Sequence, residues 1–68
     1  NPEPSLSARE IELVELLATG MSNRAMSRRL FISEATVKTH LVHIYEKLGV
    51  DNRTAAIAVA RERRIIRA

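Results

Sequence analysis

The sequence predicts an all-α fold, a compact four-helix domain that contains a helix-turn-helix. Three observations support it. Apolar residues recur at helical spacing in successive segments, a serine or asparagine stands at the N-cap position before each, and a glycine or a short break separates them. No run alternates apolar and polar residues between turn signals, so no strand is expected.

The first helix is expected at about 7–19. Ser7 stands three residues before Glu10, the spacing at which a serine hydroxyl accepts from the Glu10 amide while the carboxylate reaches back. Ile11, Val14, Leu17 and Ala18 supply the inward face, and Gly20 suits the left-handed residue that ends a helix, with Met21 folding back on Leu16. Ser22 caps a short second helix, about 22–30, whose Met26 and Leu30 face inward and whose Arg24, Arg28 and Arg29 lie on other faces. The chain breaks at Phe31–Ile32, and Ser33 caps a third helix, about 33–48. Its apolar stripe is Val37, Leu41, Ile44 and Leu48. Gly49 stops it, and Val50 turns back toward Tyr45. Asn52 caps a fourth helix, about 52–65, with Ala56, Ile57 and Ala60 toward the core and Ile65 and Ile66 closing it.

Composition narrows the function classes. A chain of 68 residues is one domain with a modest core, and it contains no Cys to staple that core or to bind metal as thiolate. Asn1–Ser5 carries both prolines and reads as a linker tail, leaving 6–68 as the domain. The polar start gives no expectation of a signal peptide, and a first residue of Asn, not Met, suggests a segment of a longer protein. No apolar run approaches the roughly 20 residues of a membrane helix. The net charge is +3, and its placement is uneven: 1–32 balances four basic against four acidic residues, so the excess lies in 33–68. A pI near 10.2 in so small a domain points toward nucleic acid. Phe31 and Tyr45 are the only aromatics, too few to stack single-stranded bases.

Four blocks carry a resemblance: Leu6-Ser7-Ala8-Arg9-Glu10, Gly20-Met21-Ser22-Asn23-Arg24, Ser33-Glu34-Ala35-Thr36-Val37-Lys38-Thr39-His40, and Lys47-Leu48-Gly49-Val50-Asp51-Asn52-Arg53-Thr54. In this order and spacing the chain resembles the LuxR/NarL-type helix-turn-helix domain over about residues 6–66. The resemblance implies a cytoplasmic transcription regulator of bacteria. The domain would be its C-terminal output module, joined to a phosphorylated receiver or a small-molecule sensor. It implies binding of double-stranded DNA in the major groove by the third helix, a homodimer paired through the fourth, and RNA polymerase as a partner of the full-length protein. No cofactor is implied.

The third helix is where such a domain meets bases. With Val37, Leu41 and Ile44 turned inward, Lys38, Thr39 and Val42 lie on other faces. Lys38 can donate to guanine O6 and N7, and Thr39 and Val42 can offer methyl groups to thymine. Ser33 and Thr36 can bond phosphate at the helix start, where amides and the dipole favour anions. By the family motif, Lys38 and Thr39 fall on base-contacting positions, and Val42 on a third that is often basic. Its apolar side chain replaces a hydrogen bond by a methyl contact, and His43 beside it adds a polar group. The motif associates Asn23, Arg24, Thr36 and Lys47 with phosphate contact. Ala55, Ala58, Val59 and Glu62 fall on the dimer face. Three departures from the family stand out. Ala25 replaces a common acid and Ser27 a common alanine, so helix two keeps three arginines without their anion. Ala55 replaces a glutamate, which leaves Asn52 as the sole cap of helix four and makes its exposed face more apolar.

Bland readings cover most other polar residues. Arg9 is expected to pair with a nearby carboxylate. Arg61, Arg63, Arg64 and Arg67 suit a helix C-terminus. His40, His43 and Glu46 recur every three residues, but each step rotates about 60° around the helix, a poor arrangement for one ion, so no metal site is expected. No spacing forms a Ser-His-Asp triad and no glycine-rich phosphate loop is present, so no enzyme is expected. A protein-interaction module and a sigma-factor-like segment are the competing readings.

Overall fold

The computed structural model describes residues 5–67. Of the expected linker tail only Ser5 is among them; Asn1–Pro4 and Ala68 lie outside the described residues. The described residues form four helices and no strand: α1 (Ala8–Ala18), α2 (Asn23–Leu30), α3 (Glu34–Leu48) and α4 (Arg53–Glu62).

Each helix begins on the cap read from the sequence. Ser7 Oγ accepts from the Glu10 amide at 3.2 Å, Ser22 Oγ from Ala25 at 3.1 Å, Ser33 Oγ from Thr36 at 3.1 Å, and Asn52 Oδ1 from Ala55 at 2.8 Å. The Ser7 amide in turn donates to Glu10 Oε1 at 2.8 Å, completing the capping box. Each cap satisfies an amide that the helix leaves without a partner and stabilises the start by about 1 kcal/mol.

The four helix ends also share one device. A residue with positive φ follows each, and the next amide reaches back to a carbonyl one turn inside: Met21 N to Leu16 O (3.4 Å), Ile32 N to Ser27 O (3.0 Å), Val50 N to Tyr45 O (2.9 Å) and Ile65 N to Ala60 O (2.8 Å). Met21, Ile32, Val50 and Ile65 are all half-buried against the core, so each turn satisfies a carbonyl and covers apolar surface at once. The left-handed residues are Gly20 (φ 89°) and Gly49 (φ 70°), as expected, but also Phe31 (φ 57°) and Arg64 (φ 58°).

The Arg64 turn corrects the fourth helix. It stops at Glu62, not at 65, because Arg64 turns left-handed and drops Ile66 into the core, where it is 7% exposed. Core closure by Ile65 and Ile66 therefore holds, through a turn in place of the last helical turn.

The core is formed by Leu13, Val14 and Leu17 of α1, Met26 and Leu30 of α2, Val37, Leu41, Ile44 and Leu48 of α3, Ala56 and Ala60 of α4, and Ile66. The α3 stripe is the one its periodicity predicts. The α1 face is rotated from expectation: Leu13 is fully buried, while Ile11 and Ala18 are only half-buried. The rotation brings Glu10 inward as well, at 5% exposure. On α4 the two buried positions are alanines, and small side chains let that helix approach α1 closely; Ile57 stays half-buried at the edge.

Candidate nucleic-acid interface

α2 and α3 pack on each other more extensively than any other pair of helices. Met26, Leu30, Val37 and Leu41 are buried there, and the break at Phe31–Ile32 joins the two helices. This is a helix-turn-helix. A helix with its side chains is about 10–12 Å across, and the major groove is about 12 Å wide, so α3 fits if its outer face is free.

That face is free. Lys38, Thr39, Val42 and His43 are all exposed, as are Ser33 and Thr36 at the start of the helix. Val42 is 54% exposed, an apolar side chain that the core leaves in water. Thr39 Oγ1 donates to Ala35 O at 3.1 Å, which uses its proton inside the helix and leaves the methyl group and lone pairs for a ligand. Ser33 Oγ and Thr36 Oγ1 share a hydrogen bond at 2.9 Å, so the two hydroxyls at the helix start form one unit.

Arg24 is exposed in the first turn of α2, where no acidic side chain accompanies it. The positive helix terminus and the guanidinium therefore add. Asn23, beside it, is half-buried, and its Oδ1 accepts from Arg53 of α4 at 2.7 Å. The Ser27 hydroxyl donates to Arg24 O at 2.7 Å, which satisfies a polar group buried to 8% exposure.

Lys47 sits differently from the rest of the site. Its Nζ donates to Glu10 Oε1 at 2.7 Å and to Ser5 O at 3.3 Å, so two of its three donors are engaged within the protein. Burial pushes the Glu10 carboxyl up, but the hydrogen bonds from Lys47 and the Ser7 amide, together with the Lys47 charge, hold it below its ordinary value. Glu10 is thus more than a cap: it ties α1 to the last turn of α3. Reading the sequence missed this pair because its members stand 37 residues apart. The expected Arg9 pair is present on the surface, with Glu12 at 3.4 Å.

On α4, Ala58 and Glu62 are exposed and Ala55 and Val59 half-exposed, a continuous strip away from buried Ala56 and Ala60. His40 is half-buried, whereas His43 and Glu46 are exposed. Among the described residues no three His, Cys, Asp or Glu side chains gather as a metal site would require, and no helix is long and apolar enough to cross a membrane.

Comparisons with known proteins agree with this geometry. The family model described as "Bacterial regulatory proteins, luxR family" matches residues 4–60. The chain is 46% identical over 63 residues to the probable transcriptional regulatory protein NarL of Mycobacterium tuberculosis, covering 93% of this chain and 29% of that protein. It is 47% identical over 57 residues to the CsgBAC operon transcriptional regulatory protein of Escherichia coli, covering 84% of this chain and 26% of the relative. The crystal structure of the response regulator ChrA of a heme-sensing two-component system superposes with a TM-score of 0.92 at 67% identity, over 97% of this chain and 33% of that one. The chain thus spans about a third or less of these relatives. Helix-turn-helix geometry, the match of the family model over most of the chain and the likeness to a response regulator agree: the chain belongs to the LuxR family of bacterial regulatory proteins.

Proposed function

We propose that this chain is the DNA-binding output domain of a cytoplasmic response regulator and reads double-stranded DNA through the major groove. The observation that carries the reading is the division of α3: Val37, Leu41, Ile44 and Leu48 are buried, and Lys38, Thr39, Val42 and His43 are exposed on the other side. Those four meet base edges, with Lys38 donating to guanine and Val42 and Thr39 contacting thymine methyls. Asn23, Arg24, Ser33, Thr36 and Lys47 hold phosphates, Lys47 with the one donor that Glu10 and Ser5 leave over. The strip Ala55, Ala58, Val59 and Glu62 pairs two copies on a symmetric site, and RNA polymerase is met by the full-length protein. Residues 1–5 serve as the tail of a linker, and the domain binds without catalysing a reaction.

A salt titration of DNA binding tests the reading. Phosphate neutralisation predicts that log K falls with log salt at roughly −0.9 per contact. A flat response sinks the DNA reading and leaves a protein-interaction module.

A further inference from the structure

We infer that Arg53 is a positioning residue that fixes the Asn23 amide with its amine turned outward for a DNA phosphate. The inference rests on the DNA-binding reading and deepens it. Arg53 is the first residue of α4, and Asn23 the first of α2. The two stand 30 residues apart, yet Arg53 Nη2 donates to Asn23 Oδ1 at 2.7 Å while Nη1 donates to Met21 O at 3.0 Å.

The chemistry of the pair sets a direction. A guanidinium has donors and no acceptor, so only the amide oxygen can face it. The Asn23 amine must then point to the other side of the Cβ–Cγ bond, away from the guanidinium. No hydrogen bond from that amine is seen among the described residues, and no buried side-chain nitrogen lacks a partner, so the amine is open to solvent. A phosphate accepts and never donates when fully ionised. An amide with its amine outward suits it, whereas one with its oxygen outward repels it. Arg53 is half-buried with two donors spent inside the protein, so its effect on DNA runs through Asn23. A planar fork serves two acceptors at fixed angles; the single ammonium of lysine does not reproduce it.

The test measures binding of the chain to a mixed-sequence DNA duplex at low salt, with thermal melting of every variant, for R53K, N23A, N23D and the double variant R53K/N23A. A hydrogen bond to a charged group corresponds to about a tenfold change in affinity. R53K is expected to weaken binding by about that factor in the wild-type background and hardly at all when Asn23 is already alanine. N23D keeps a partner for Arg53, so it melts at or above the wild-type temperature, yet binds at least about tenfold more weakly because it turns a carboxylate toward phosphate. Equal weakening by R53K in both backgrounds overturns the inference, as does N23A or N23D binding like the wild type. A wild-type chain whose binding ignores salt sinks the DNA reading itself, a result separate from these.

Discussion

The outer face of α3 and its last turn are built for opposite purposes. The outer face presents Lys38, Thr39, Val42 and His43 to solvent, and its polar hydrogen bonds are local: Thr39 to Ala35, Ser33 with Thr36. The last turn is bound into the body. Lys47 joins Glu10 of α1 and the carbonyl of Ser5, and Val50 closes on Tyr45 beyond Gly49. One helix therefore carries polar side chains that can be exchanged without touching the fold, and one, Lys47, that is tied into it as the core stripe is. Under the proposed function that division is needed, because the exposed face must stay rigid enough to keep register in a groove, and rigidity comes from the buried stripe and the anchored last turn.

The comparison breaks most sharply at Lys47. Lys47→Met keeps the apolar stem but leaves the nearly buried Glu10 carboxylate without its cation, and is expected to cost about 3 kcal/mol of folding stability in urea unfolding. A loss below about 0.5 kcal/mol, the range of an exposed pair, would show that the anchor is incidental. Lys38→Ala is the counterpart: no measurable change in unfolding, but a loss of about 1–3 kcal/mol in binding to a selected site and a looser base preference. Equal loss on every sequence would move Lys38 to the phosphate set.

A third expectation concerns acid. Because Glu10 titrates below its unfolded value, its stabilisation is fully present above the unfolded pKa of about 4.3 and is lost as pH falls through the lower folded value. Stability should therefore decline on the acid side of about pH 4.3, and Glu10→Gln should remove that contribution to the decline. An unchanged acid limb would mean that other carboxylates set it. The smallest effect is expected at the turn between α2 and α3. Phe31 is 94% exposed at a φ of 57°, so its side chain contributes little packing while its backbone is strained. Phe31→Asn should raise stability by about 0.5–1 kcal/mol; a loss would reveal packing that the exposure hides.

Much of the molecule is legible from local chemistry. The caps Ser7, Ser22, Ser33 and Asn52 act on an amide three residues ahead, and the α3 stripe repeats within one helix, so both are written in neighbouring letters. Ile11 misled because its spacing fits a helix face as well as Leu13 does, and only packing against other helices chooses which face turns inward. Arg64 misled for a related reason: the left-handed residue favours glycine, yet Arg64, like Phe31 at the break read from the sequence, adopts it because the next residue, Ile65 or Ile32, gains burial.

The sequence alone determined the helices, their starts, the buried stripe of α3 and the residues opposite it, because these depend on interactions within a few positions of the chain. Tertiary structure decided that Glu10 serves Lys47 and that Arg53 holds Asn23, because those partners meet only when the chain has folded α1 against α3 and α4 beside α2. It also decided where α4 ends, since the pull on Ile66 comes from a core that no segment of the chain contains by itself.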